Sequence, residues 1–232
     1  MKRRSWVGGM VLAGALSVSV LGPMQTASAQ TPAASVDASA PDVLIRTLAE
    51  DILRSVKADP QIRAGNIQRI TDLVNRKLLP HADFQRTTRL ALGRYWRQAS
   101  PAQRTEITKQ FEMLLIHTYA GATAKVNDQT VDVKPLRAAA DATDVVVRTE
   151  VTNQGRPYQV DYRLEKTAEG WKIYDVNVLG AWLIEAYRQQ FSNVIAQSGI
   201  DGLLQFLTQR NAQLAAGGAP EAPVKPGTIP VR

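Results

Sequence analysis

The stretch Trp171–Leu207, WKIYDVNVLGAWLIEAYRQQFSNVIAQSGIDGLLQFL, decides the predicted fold. Its opening residues, 171–178, are rich in aromatic and β-branched side chains, which predicts a strand. Gly180 then permits a sharp corner. Beyond it, apolar residues recur at helical spacing up to Gly199, which we expect to end the helix, and Asp201 can cap a short second helix. We therefore expect one strand and two apolar helix faces to pack around a common apolar region.

The N-terminus has the features of an export signal. Basic residues 2–4 precede an uncharged, mostly apolar run over 7–21, and residues 27–29 form a small-residue cleavage signature. This pattern predicts a secretory signal peptide over 1–29 and an exported mature protein. A membrane anchor is the alternative, which the short, glycine-containing apolar run disfavours.

Composition excludes several classes of site. The 232-residue chain has no cysteine, so a disulfide framework and a thiolate metal site are both impossible. The net charge is +7, and the three basic residues near the N-terminus account for part of it, which leaves +4. Basic residues are spread along the chain rather than clustered, so we predict no nucleic-acid partner. An anionic membrane surface or an acidic partner patch fits this mild excess better.

The first half of the body of the chain is helical by pattern. Apolar residues recur at helical spacing from Asp42 onwards. Asp59-Pro60, Asp83 and Ser100-Pro101-Ala102-Gln103 each have the residue types that begin a helix, and the last of them has the form of a capping box. Pro80 is expected to end the helix that starts after Asp59.

After Lys125 the apolar period changes from 3.6 to 2. Alternation over 131–133, 145–151, 158–165 and 171–178 predicts four strands, with turns at Asn153-Gln154-Gly155 and Glu169-Gly170. A run of helices followed by a meander of strands predicts an α+β fold, with helices packed on a twisted antiparallel four-stranded sheet. We therefore expect a flexible leader over 30–41, a single domain over 42–215 and a disordered tail over 216–232.

Catalytic chemistry has little support in the sequence. His81 and His117 lack the spacing of a zinc site, and no phosphate-binding loop or dinucleotide fingerprint is present, so we predict no metal and no cofactor. Asp175 shares strand parity with Trp171 and Ile173, so it could face the apolar interior with a raised pKa and act as a base. The alternative is a hydrogen-bonded structural carboxylate near the strand end, beside a bulge.

The aromatic residues are the other signal. Ten of the large aromatic side chains come from helices and strands that should converge. Such a set is usually packed core, and the alternative is an apolar ligand cavity.

Several segments, in order and at similar spacing, resemble the MlaC family, also called the toluene-tolerance auxiliary family. The matching residues are, in order, Leu92–Trp96 (LGRYW), Ser100–Arg104 (SPAQR), Phe111, Thr118–Ala120 (TYA), Trp171–Val176 (WKIYDV), Gly180, Tyr187–Phe191 (YRQQF) and Gly199–Leu203 (GIDGL). The match covers about 42–207, nearly the whole predicted domain. Ala181-Trp182 departs from the family pattern, which usually has a small residue and a serine after the glycine.

The resemblance implies a fold similar to the nuclear-transport-factor type, with an apolar cavity for phospholipid acyl chains and the head group outside. It implies a non-enzymatic periplasmic carrier that shuttles phospholipid between the outer-membrane lipoprotein complex of MlaA and an inner-membrane ABC transporter whose MCE subunit is MlaD. Such a flow maintains outer-membrane lipid asymmetry. A hopanoid carrier, an exported enzyme with Asp175 as base, and a chaperone or adaptor with a dry core are the alternatives.

We predict a cavity lined by the fourth helix, one face of the sheet and the helix after Gly180. Strand parity and helical spacing select the following lipid-binding residues: Trp96, Leu115, Tyr119, Val147, Tyr162, Leu164, Ile173, Leu183, Tyr187, Phe191 and Ile195.

Overall fold

The structure, a computed structural model, describes residues 40–126 and 128–218. The predicted signal peptide lies outside the described residues, as do nearly all of the leader and of the C-terminal tail. Within the described ranges, no helix combines the length and the apolar character needed to cross a bilayer.

The N-terminal third of the described chain is a series of helices and helical turns. Helix α1 spans Pro41–Ala58 and α2 spans Pro60–Arg63, with the Asp59 side chain accepting hydrogen bonds from the first backbone N–H groups of α2. Helix α3 spans Ile67–Leu73 and is capped by Asn66. It continues as a π-helical turn, Val74–Leu78, and a 3₁₀ turn, Leu79–His81.

The sequence predicted one helix where the structure has α2, α3 and the two turns. Gly65, with a φ of +81°, interrupts the predicted helix after one turn, because this backbone conformation is left-handed and suits glycine. The chain restarts on Asn66, which supplies a new N-cap.

The next two helices confirm their predicted caps. Helix α4 spans Phe84–Leu92 and is capped by the Asp83 side chain, and a 3₁₀ turn, Gly93–Arg97, follows it. Helix α5 spans Pro101–Tyr119 and begins with the full Ser100/Gln103 capping box. A further 3₁₀ turn, Ala120–Lys125, leads to the sheet.

The sheet is an antiparallel meander in the order β1-β2-β3-β4-β5, and it confirms the α+β class. Its strands within the described residues are β1 (Thr130–Val133), β2 (Asp144–Asn153), β3 (Arg156–Thr167), β4 (Gly170–Val178) and β5 (Ala181–Trp182). The sequence predicted four strands, and β5 is the addition.

The fifth strand forms because the corner at Gly180 is a tight hairpin. Leu179 and Gly180 both have positive φ values, +54° and +89°, as two-residue hairpin turns require. The turn brings Ala181 and Trp182 back alongside Val178 and Asn177. The sequence predicted the turn at Gly180. It did not predict β5, because a strand of two residues is too short to show an alternation of apolar and polar side chains.

Helix α6 spans Leu183–Ala215 and bends at Gly199, whose φ of +68° and ψ of −170° are non-helical. The predicted interruption at Gly199 is therefore present, but the second helical part reaches Ala215 rather than Leu207. The Asp201 carboxylate accepts a hydrogen bond from the Gln103 side chain at 2.7 Å. Asp201 thus links α6 to the start of α5.

Three apolar clusters stabilise this arrangement. The helical core joins α4, α5 and α6 around Phe111, which is 0% exposed and lies 4.8–5.4 Å, centroid to centroid, from the rings of Phe84, Tyr187 and Phe191. The sheet core joins α1 to one face of the sheet. The third cluster joins the end of α1 to α2, α3 and the end of α5.

We expect Phe111→Ala to lower the free energy of unfolding by about 3–5 kcal/mol, because it leaves a cavity where three aromatic rings meet. Urea unfolding followed by circular dichroism measures this change. Ser100→Ala is the comparison, since removing one N-cap costs only about 1 kcal/mol. A loss for Phe111→Ala no larger than that for Ser100→Ala would contradict the central place of this ring.

Candidate functional site

An apolar cavity of about 330 Å³ lies between the helices and strand β4. Its walls come from the end of α1, α3 with its π-helical turn, the second half of α5, β4, and the first residue of α6. Typical apolar members of the lining are Ile52, Leu73, Leu78, Leu115, Ile116 and Leu183. The volume falls at the lower end of the range of about 300–1,000 Å³ that is usual for ligand pockets.

Helix α5 supplies one wall by simple periodicity. Glu112 lies three and four residues before Leu115 and Ile116, and these lie four and three residues before Tyr119, so all four share a face that lines the cavity. Burial raises the pKa of Tyr119 to about 12, so its hydroxyl stays neutral at physiological pH. Burial also raises the pKa of the Glu112 carboxyl.

Strand β4 supplies the opposite wall, at a β-bulge. Leu164 of β3 pairs with Ile173, but the neighbouring Arg163 pairs with Asp175, so Tyr174 is an extra residue on β4. Ile173, Tyr174 and Asp175 are consecutive and all buried. A bulge beside Asp175, the alternative given above for this residue, is therefore present, and strict alternation along β4 does not continue past Ile173.

Helix α4 satisfies the backbone groups that the bulge exposes. The Thr87 hydroxyl donates to the Tyr174 carbonyl at 2.7 Å, and the Asp83 N–H donates to the Ile173 carbonyl at 2.8 Å. These bonds fix the start of α4 against β4 and so set the spacing of the cavity walls.

The Asp175 carboxylate is fully engaged. Its Oδ1 accepts hydrogen bonds from the backbone N–H groups of Val176 and Ile184, each at 3.0 Å, and its Oδ2 accepts one from the Arg163 guanidinium at 3.1 Å. Burial raises the pKa of Asp175, against the opposing effects of these partners. Because Ile184 is in the first turn of α6, the carboxylate caps that helix from a neighbouring strand.

The Arg163 guanidinium is itself positioned by Trp182, whose ring centroid lies 3.8 Å from the guanidinium carbon. Trp182 therefore packs beside the Arg163–Asp175 pair at the junction of β5 and α6.

Four of the predicted site residues lie on this cavity: Leu115, Tyr119, Ile173 and Leu183. Tyr187, Phe191 and Ile195 lie instead in the helical core. Their rings and side chains fill the space between α5 and α6 in this structure, and their assignment as lipid contacts stays a prediction.

The sheet residues occupy a second packed region. Val147 and Leu164 are each 0% exposed in the sheet core against α1, and Tyr162 packs beside them. Trp96 lies on a separate polar pocket near the start of α5, where its ring contacts Arg104. The assignment of these residues as lipid contacts stays a prediction.

The segment after α3 contributes to the cavity although no residue of it was predicted as a site residue. Val74, Leu78 and Leu79 form part of the wall, as do Ile52 and Val56 of α1. Val74 and Leu78 are four residues apart, which is helical spacing, but this spacing does not distinguish a cavity wall from a packed core.

Within the described ranges, no group of three or more His, Asp or Glu side chains could bind a metal ion. The polar atoms around the cavity are hydroxyls and carboxylates among apolar side chains, an arrangement suited to enclosing an apolar molecule.

Comparison with known proteins identifies the family. The MlaC protein family matches residues 46–209, which is more than half of the chain. The chain belongs to the MlaC family. This match confirms the resemblance that the sequence segments indicated.

Three relatives show how the similarity is distributed. The toluene tolerance protein ttg2D of Pseudomonas putida is 30% identical over 211 residues, covering 88% of this chain and 93% of its own length. The intermembrane phospholipid transport system binding protein MlaC of Haemophilus influenzae is 23% identical over 179 residues, covering 75% of this chain and 84% of its own. A solved structure of the phospholipid-binding protein from Ralstonia solanacearum, in complex with a phospholipid, is 52% identical with a TM-score of 0.73. The similarity covers 75% of this chain and 98% of that one.

We expect Leu115→Trp to fill part of the cavity at a cost of less than about 1 kcal/mol in stability, because the added ring enters existing space. Val147→Trp should cost about 1–3 kcal/mol or more, because Val147 is in packed core. Thermal unfolding of both variants measures the difference. Equal losses in the two variants would contradict the distinction between cavity wall and core.

We expect the stability difference between the wild type and Asp175→Asn to fall as the pH rises. A raised pKa means that the folded state holds the Asp175 proton more tightly than the unfolded state. The contribution of this group is therefore greatest at low pH and is lost as the pH rises from about 3.9 through the raised value. Urea unfolding of both proteins between about pH 3.5 and pH 7 measures it. A difference that grows with pH would mean that Arg163 and the backbone donors outweigh burial.

Proposed function

We propose that this protein is a periplasmic phospholipid carrier that encloses acyl chains in the cavity between α5, β4 and the α3 segment. The observation that carries the proposal is an almost wholly apolar cavity in a chain 52% identical to a protein solved with a bound phospholipid. The predicted signal peptide supports a location in the periplasm.

The energetics of lipid transfer support a carrier. Burying one methylene contributes about 0.8 kcal/mol, and two acyl chains bring about 30 of them. A phospholipid crossing water unaided therefore faces a barrier of roughly 20 kcal/mol or more. A protein lowers this barrier by covering the chains alone, because water already solvates the head group.

The partners follow from the family. A relative named as the binding protein of an intermembrane phospholipid transport system supports a shuttle between two membranes. We propose that the chain exchanges lipid with an outer-membrane complex containing MlaA and with the MCE subunit MlaD of an inner-membrane ABC transporter. This flow would maintain outer-membrane lipid asymmetry.

We propose that the carrier performs no chemical turnover. The group with the best case for a general base was Asp175, whose side chain is 0% exposed and whose oxygens already accept hydrogen bonds from Val176, Ile184 and Arg163. A carboxylate in this position stabilises the junction of β4 and α6, and its hydrogen-bond partners engage both of its oxygens.

We expect the purified protein to carry phospholipid at near-stoichiometric levels, because the cavity is apolar. Organic extraction followed by mass spectrometry measures this content. Leu115→Trp should carry less lipid than the wild type. Asp175→Asn should carry as much, because the asparagine amide oxygen can still accept hydrogen bonds from the Val176 and Ile184 N–H groups and so keep the junction in place. A folded wild type that contains no lipid and takes up none from vesicles would contradict the proposal, and a hopanoid in the extract would keep the carrier but change its substrate.

A further inference from the structure

The polar groups that line the cavity have partners, with one exception. The Thr87 and Thr123 hydroxyls donate to backbone carbonyl oxygens at 2.7–2.8 Å, and Asp175 is engaged as described above. The Tyr119 hydroxyl interacts with the neighbouring Tyr187 hydroxyl. Glu112 forms no hydrogen bond or ion pair with any residue in the described part of the chain.

Glu112 lines the apolar cavity, but its side chain is only partly buried, so the carboxylate also reaches solvent. It lies on α5 one turn before Leu115 and two turns before Tyr119, and its side chain is half-buried. Lys109, on the preceding turn, is exposed and makes no ion pair with it among the described residues. A half-buried charge without a partner loses solvation and gains nothing in return, which leaves it available to a charged ligand group.

The other described residues that line the cavity carry no positive charge. Among the described residues, no Lys, Arg or His side chain lines the cavity. A lipid phosphate at the cavity margin therefore meets no cation from the wall, while a carboxylate attracts an ammonium and repels a net negative charge. The site suits a head group that brings its own positive charge.

We infer that Glu112 contacts the lipid head group and favours amine-bearing zwitterionic phospholipids over anionic ones. This inference rests on the proposed function as a phospholipid carrier. It assigns the head-group end of the ligand to the Glu112 side of the cavity and the acyl chains to the apolar interior.

The test is a competition between two lipids that differ only in the head group. Delipidated full-length mature protein is incubated with vesicles of equimolar dioleoyl phosphatidylethanolamine and dioleoyl phosphatidylglycerol. The protein is then re-isolated, and the bound lipids are extracted and quantified by mass spectrometry. Both the total lipid per protein and the ratio of the two lipids are recorded.

We expect Glu112→Gln to lower the bound ratio of phosphatidylethanolamine to phosphatidylglycerol by about three- to fivefold, the range of a half-exposed charge pair. Glu112→Lys should lower it further, and Glu112→Asp should preserve it. Glu106→Gln is the matched control, because Glu106 is a half-buried glutamate on the same helix, pairs with Gln110 and lies outside the cavity lining. It should leave the ratio unchanged.

Normal total lipid with an unchanged ratio in both Glu112→Gln and Glu112→Lys would overturn the inference and leave the carrier function intact. A reduced total with an unchanged ratio would also overturn it, since Glu112 would then be only part of the wall. A wild type that binds neither lipid would overturn the proposed function, and the inference with it.

Discussion

The carboxylate of Asp175 is the interaction on which the site depends, because it connects the sheet to the long helix. It accepts hydrogen bonds from backbone N–H groups of β4 and of the first turn of α6, and it forms an ion pair with Arg163 of β3. The β-bulge at Tyr174 brings Asp175 opposite Arg163. With a buried charge of this kind, the bonds must form together, because removing one partner leaves the others desolvated. The junction therefore fixes where α6 begins and which side chains of β4 face the cavity.

Helix α5 has two faces, one in the core and one on the cavity. The face of α5 around Phe111 packs against α4 and α6 with aromatic rings in contact, as a folded core requires. The face with Leu115 and Tyr119 lines the cavity, whose other walls include β4 and the π-helical turn. One helix thus serves as the rigid support of the domain and as a cavity wall. A cavity next to a tight core persists because the core, rather than the cavity lining, supplies the packing energy.

The α3 segment gives the cavity an irregular wall. The wall begins on α3 and continues through the π-helical turn Val74–Leu78 and the 3₁₀ turn after it, where Val74, Leu78 and Leu79 line the cavity. An ion pair between the Lys77 ammonium and the Asp51 carboxylate, 2.6 Å apart, links this segment to α1. Departures from α-helical geometry of this kind are frequent at functional sites.

The sequence by itself determined the features that depend on neighbouring residues. The caps at Asp59, Asp83 and Ser100 follow from local hydrogen bonding, and the alternation along β2 and β3 fixes which of their side chains face α1. Only the tertiary structure decided the bulge at Tyr174, the two-residue strand β5 and the boundary between cavity and core. Assigning strand residues to alternate faces assumes that pairing is unbroken, and one inserted residue exchanges the two faces beyond it. The pairing of Asp175 with Arg163 therefore could not be read from the alternation. Apolar periodicity likewise marks both Leu115 and Phe191 as inward-facing, and only the packing of distant elements shows that one lines a space and the other fills it.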